Sequence, residues 1–123
     1  MAIGYGIAKK RVNGKELYYA HVKNGGVIGV NELCERISRQ CSLNIPLLHA
    51  AIIAFSDAMG EQLVAGKIVD LGSIGRFRIS FGSEGVERAR DLCASKHINL
   101  AKILYFPGKE LRRGLGRLEY RKV

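Results

Sequence analysis

In the stretch GKIVDLGSIGRFRISF, Gly66 to Phe81, two arginines, Arg76 and Arg78, alternate with Phe77, Ile79 and Phe81. Period-two alternation places the rings and the aliphatic chain on one face of a strand and both guanidiniums on the other. A guanidinium is a permanently charged fork of N–H donors, matched to phosphate or carboxylate oxygens. A second basic run, PGKELRR, sets Lys109, Arg112 and Arg113 just after Pro107 and Gly108. Glycine before a lysine at a helix start exposes backbone N–H groups and a cation, which suits a phosphate; the competing reading is an ordinary helix start after proline. Arg88 and Arg90, offset by Glu84, Glu87 and Asp91, and Lys102 in the run AKILYF complete the candidates. These residue types can together hold an anion.

The charge of the chain points the same way. Its 123 residues carry 20 basic against 11 acidic side chains, a formal net charge of +9, and an excess of that size favours a polyanionic partner. Residues 1–29 hold five bases against one acid, residues 30–66 two against four, and the remainder thirteen against six. The middle is therefore scaffold, and the two ends face the polyanion.

Several function classes find no support. Cys34, Cys41 and Cys93 are odd in number and form no CxxC pair, so neither a disulfide framework nor a four-ligand zinc site is expected, and all three read as buried free thiols. Three scattered histidines, with no nucleophile elbow, no P-loop and no paired metal-ligand motif, argue against an enzyme, a metal or a cofactor. No uninterrupted apolar run of about 18 residues and no signal-peptide pattern is present, so the expectation is a cytoplasmic protein with no membrane partner.

A chain of 13.5 kDa has the size of one domain and buries only about two thirds of its unfolded surface, so dimerisation would help it. Residues 2–22 read as a β-hairpin turning at Asn13-Gly14, a pair suited to a type I′ turn. Lys9, Lys10, Arg11 and Lys15 cluster at its tip, either as a solvated end that blunts edge pairing or as phosphate contacts. After the connector Asn24 to Gly29, Val30, Leu33, Cys34, Ile37 and Cys41 fall on one face at helical spacing. Asn44 is a plausible N-cap and Pro46 fits the first turn of a second helix running to about Val64 or Ala65. Its stripe of Leu48, Ile52, Phe55, Met59 and Leu63 is widened by Ala51, Ile53 and Ala54, so it must be covered on more than one side.

Two helices joined by a tight turn raise a helix-turn-helix reader, but Ile45 to Ala65 holds no Lys or Arg and does hold Asp57 and Glu61. Such a helix would meet the full phosphate repulsion in a major groove, so it is a core and dimerisation helix. His49 beside its stripe reads as a packed histidine. Ile68, Val69 and Leu71 then form a strand, GSIG a turn, and Phe77 to Phe81 a second strand. Gly82 to Leu100 is either a short helix through Val86, Ala89 and Cys93 or the end of an extended hairpin. Ala101 to Phe106 returns as a strand, a short helix starts near Lys109, and Arg117, Arg121 and Lys122 extend the basic tail.

The order of these pieces resembles the HU/IHF family of bacterial histone-like proteins. That family's turn reads GFGxF, met here by Ile74, Gly75 and Phe77 with Ile for Phe. Its return reads FxPGKxL, met by Tyr105, Pro107, Gly108, Lys109 and Leu111 with Tyr for Phe. The resemblance covers about residues 30–116, and the hairpin resembles the addition of an HU-related subgroup. It implies an α+β, IHF-like (HU-like) fold, with residues 1–29 as an N-terminal hairpin extension. Residues 30–123 would form the HU-like domain: two helices, a three-stranded antiparallel sheet with an arm, and a C-terminal helix.

The resemblance further implies an intertwined homodimer that embraces double-stranded DNA with low sequence preference, bends it, and is nucleoid-associated. On it, Lys109 lies on the DNA-facing body. The family's arm tip, RNPxTG, with its proline wedge, is missing from Gly82 to Leu100. Leu92 is the one sizeable apolar side chain near the middle, either a wedge or packed on its own domain. Two further partners stay open: RNA, because a basic surface serves both polyanions, and a protein, if the altered arm and hairpin make this an interaction module with weakened DNA binding.

Overall fold

The computed structural model describes all residues from Met1 to Val123. Strands β1 (Ile3–Val12) and β2 (Lys15–Lys23) form the hairpin. Asn13 (φ 51°) and Gly14 (φ 76°) both adopt positive φ, as a type I′ turn requires. A third strand joins them: β6 (Tyr120–Lys122) pairs in parallel with β1, Ile3 opposite Tyr120, giving the order β2-β1-β6. The basic tail is thus part of the hairpin's sheet and not a free extension. Leu118 and Tyr120, alternating with Glu119 and Arg121, carried that strand signal.

Helix α1 spans Val30–Cys41 and ends where Ser42 turns left-handed at φ 54°. Helix α2 spans Ile45–Val64, its Asn44 side chain accepting from the Leu47 N–H at 3.3 Å with Pro46 in the first turn. That cap satisfies one of the helix's orphan donors. Helix α2 packs on α1 and on a second sheet, whose order is β3 (Val69–Asp70), β4 (Gly75–Ser83), β5 (Ile98–Pro107). Its 20 residues and mean hydropathy of 1.2 are long and apolar enough to cross a membrane; Asp57 and Glu61 interrupt the run.

The second sheet departs from expectation in three places. Strand β3 is only Val69–Asp70, because Asp70 turns its carboxylate onto the Gly72 N–H at 2.9 Å and ends the strand early. Strand β4 (Gly75–Ser83) and strand β5 (Ile98–Pro107) run longer than the sequence suggested, with a register shift between Ser80 and Gly82. Between them no helix runs through Val86, Ala89 and Cys93. A single 3₁₀ turn at Ala89–Asp91 and a four-residue helix α3 (Ala94–His97) are separated by extended Leu92 and Cys93. The hairpin arm closes at the Ser83–Ile98 pair. Helix α4 (Lys109–Leu115) follows β5.

Two glycines explain how the turn and the return fit together. A Cβ on Gly75, at φ 131°, would run into the Phe106 carbonyl oxygen; one on Gly108 would lie 2.5 Å from the Ser73 oxygen and 2.6 Å from that of Gly72. The turn Gly72–Gly75 is thus seated against Pro107-Gly108, backbone on backbone.

Only two hydrophobic residues, Cys34 and Leu63, are buried, and the accessible surface is 10630 Å². A compact monomer of this mass would expose about 6,500 Å². Phe55 remains 54% exposed and Ile53 62%, so a single chain covers the broad apolar surface of α2 on one side alone. Of the three free thiols expected to be buried, Cys41 and Cys93 are exposed: one ends α1, the other lies on the β4–β5 connection, and neither meets the core.

Candidate nucleic-acid interface

Register assigns the faces of the β4–β5 ribbon. Phe77 opposes Tyr105 and Ile79 opposes Ile103 on one face, with the Phe77 and Tyr105 ring centroids 4.9 Å apart. On the other face Arg76 opposes Phe106, Arg78 opposes Leu104, and Ser80 opposes Lys102. Strand pleating therefore gathers Arg76, Arg78 and Lys102 on one surface, as the alternation required.

Helix α4 adds a further cation. Arg112 folds back so that its Nη2 donates to the Pro107 carbonyl at 3.2 Å. It lines, with Asp70, Arg76, Arg78, Phe106 and Gly108, an open concavity of about 630 Å³. The Arg78 guanidinium carbon sits 5.3 Å from the Phe106 ring centroid, a cation–π distance that holds the fork over the sheet. Arg78 enters none of the four ion pairs of the chain, so its N–H donors are available to a ligand.

Arg76 is different. Its Nε lies 3.2 Å from Asp70 Oδ2. The Gly72 N–H first, and Arg76 second, hold the Asp70 carboxyl below its ordinary range. Asp70 is thus both the turn's cap and a counter-charge inside the cationic surface. Sequence reasoning passed over it because nothing in a linear reading places residue 70 beside residue 76 across the turn.

The other candidates lie outside the concavity. Arg88 pairs with Asp91 at 3.6 Å, and Arg90 sits in the adjacent 3₁₀ turn. Arg113 pairs with Glu110 at 3.5 Å on α4. Lys109 opens α4 and is exposed, but the preceding Gly108 N–H donates to the Ile74 carbonyl at 3.3 Å. That amide is committed to the fold, so the glycine serves packing before it serves an anion. No three His, Cys, Asp or Glu side chains converge as a metal site would need.

Comparison with known proteins agrees with this architecture. The fold is similar to that of a Bacteroides vulgatus protein known from a crystal structure and provisionally described as a bacterial DNA-binding protein, with a TM-score of 0.69 at 15% identity. The match covers 99% of this chain and 48% of that one, so the chain spans about half the length of the protein it resembles. No curated protein sequence matches. The pattern of the HU-HIG family, described as an HU domain fused to wHTH, Ig, or glycine-rich motif, matches residues 1–122. The chain therefore belongs to the HU-HIG family.

Proposed function

We propose that this protein is a non-catalytic architectural protein that binds double-stranded DNA as an intertwined homodimer, with low sequence specificity, and bends it. The observation that carries the reading is the cationic face of the β4–β5 ribbon, where Arg76, Arg78 and Lys102 lie in register with Arg112 at its edge. Guanidiniums and an ammonium spaced along an open, shallow surface suit successive phosphates, and no groove-reading helix is present to select a base sequence. Lys109 and Arg113 on α4, and Arg88 and Arg90 on the connection, extend the same footprint. The family description and the DNA binding ascribed to the B. vulgatus protein support the choice of polyanion. Residues 30–123 form the HU-like DNA-binding domain and residues 1–29 its hairpin extension, and the protein acts at the nucleoid.

The dimer rests on surface area. About 4,000 Å² more surface is exposed than a compact chain of this size would leave. An apolar groove of about 400 Å³ runs along α2 past Leu48, Ile52, Phe55 and Met59 to Leu71 and Ile74. A second copy of the same chain, bringing its own α2, supplies the missing cover.

The test is a salt titration against duplex DNA, with duplex RNA in parallel. If about six to ten phosphates are contacted, affinity falls by roughly 10³ to 10⁵ between 50 and 200 mM salt. Arg78→Ala, which removes one contact from each chain of the dimer, lowers the slope by about two. An affinity that hardly changes with salt, or a preference for RNA, would overturn the reading.

A further inference from the structure

The terminal sheet has a cationic face of its own, separate from the β4–β5 ribbon. Register across its three strands sets Lys23, Gly4 and Arg121 in one row, then His21 beside Gly6, Tyr19 beside Ala8, and Leu17 beside Lys10. The central strand thus contributes Gly4, Gly6 and Ala8 to this face, and the Val123 side chain reaches over Gly4, 3.4 Å from where a Cβ there would stand. The space is used. A Cβ on Gly6 would stand 2.8 Å from Lys23 Cε and 2.9 Å from His21 Cε1, so both side chains lean across the middle of the sheet.

Within the three strands this face carries no acid; Glu119, just before β6, has the parity of Arg121 at its edge. Glu16, the one acid in the three strands, lies on the opposite face, where it pairs with Lys9 at 3.0 Å. Lys10, Lys15, Lys23 and Arg121 enter none of the chain's ion pairs. Between them stand Tyr19, 44% exposed, and His21, two residues apart on one face of β2. Alternate residues of a strand are roughly 6.8 Å apart, twice the duplex rise of about 3.4 Å per base. Bases stacked inside a duplex cannot reach both rings; the splayed bases of a single strand can, and base–aromatic stacking between basic side chains is how sheets grip unpaired nucleic acid.

We propose that this face of the terminal sheet binds single-stranded nucleic acid, stacking bases on Tyr19 and His21 and holding phosphates with Lys10, Lys23 and Arg121. The site is independent of the duplex-binding ribbon. It is completed only by β6, which delivers Arg121.

The test uses the full chain and a fluorescein-labelled oligothymidylate of about twelve nucleotides, followed by anisotropy at two salt concentrations. Tyr19→Ala weakens binding by about 5- to 150-fold, while Tyr19→Phe retains it. The double variant Lys23→Gln/Arg121→Gln, which changes only exposed side chains, lowers the salt slope by about 1.4. Arg78→Ala leaves the oligothymidylate isotherm unchanged, which separates this site from the ribbon. The proposal is overturned if folded Tyr19→Ala binds the oligomer as wild type does. It also fails if the Lys23/Arg121 variant weakens duplex binding only, or if Arg78→Ala abolishes oligothymidylate binding.

Discussion

The hydroxyl of Tyr105 donates to the carbonyl of Ile74 at 2.6 Å. The same oxygen accepts from the Gly108 N–H at 3.3 Å, so one carbonyl joins the turn, the end of β5 and the start of α4. The HU/IHF pattern has phenylalanine where this chain has Tyr105, and the added hydroxyl is what makes the second bond. Tyr105→Phe should keep the ring packed on Phe77 and lose about 0.5–1.5 kcal/mol of stability, read as a lower urea midpoint with an unchanged slope. Gly108→Ala should cost more than about 2 kcal/mol, because backbone must move to admit the methyl.

Asp70 gives the fold an acid-sensitive contact. Its folded pKa lies below the ordinary aspartate value, chiefly through the Gly72 N–H and then through Arg76. A depressed carboxyl pKa contributes stability that is fully present above the unfolded pKa and is lost as pH falls through the folded one. Asp70→Asn still accepts from the Gly72 N–H and removes only the charge. The stability difference between wild type and this variant should therefore be largest at neutral pH and vanish on acidification to about pH 2. A difference constant with pH would show that the carboxylate charge contributes nothing.

If, as proposed, a second copy covers α2, stability depends on concentration. The thermal midpoint should rise with protein concentration. Phe55→Glu, a change at a half-exposed position of the single chain, should shift the sedimenting species from dimer to monomer or prevent folding. A fully folded dimeric Phe55→Glu protein would place the interface elsewhere.

Cysteine reactivity should follow position. Cys93 is exposed, its Sγ lies 3.2 Å from the Ser95 hydroxyl, and that hydrogen bond, with backbone N–H groups beyond it, lowers its pKa. Thiolate fraction sets the alkylation rate. Iodoacetamide followed by mass spectrometry should label Cys93 first, Cys41 next and buried Cys34 last, and Ser95→Ala should slow the first of these.

Much of the scaffold was legible because it is local. Periodicity over Val30 to Cys41, the Asn44 and Pro46 signals, and the Asn13-Gly14 turn are decided within a few residues, and each element stands where those signals put it. Alternation likewise set Arg76 and Arg78 opposite Phe77. What the chain did not disclose depends on contacts between distant segments. Asp70 reaches Arg76 only once the turn has closed, and β6 pairs with a strand at the other end of the chain. Strands β4 and β5 lengthened because each supplies the other's hydrogen bonds, and the connection beyond Ser83 holds short turns where a helix had been one expectation. Exposure of Cys41 and Cys93 followed from how little of the surface one chain covers.

The parallel pairing of β6 with β1 has a consequence for the order of assembly. It is held by a few hydrogen bonds, such as Ile3 N–H to the Glu119 carbonyl at 2.8 Å and Val123 N–H to the Tyr5 carbonyl at 3.0 Å, yet it closes a loop containing almost every other residue. Such a closure is entropically the most costly contact in the molecule and is rewarded last. Arg121 enters the row of Lys23 and Gly4 only through this closure. Of the four cations on the terminal sheet's face, Arg121 alone depends on this pairing, so the face reaches its full charge only when the two distant segments have met.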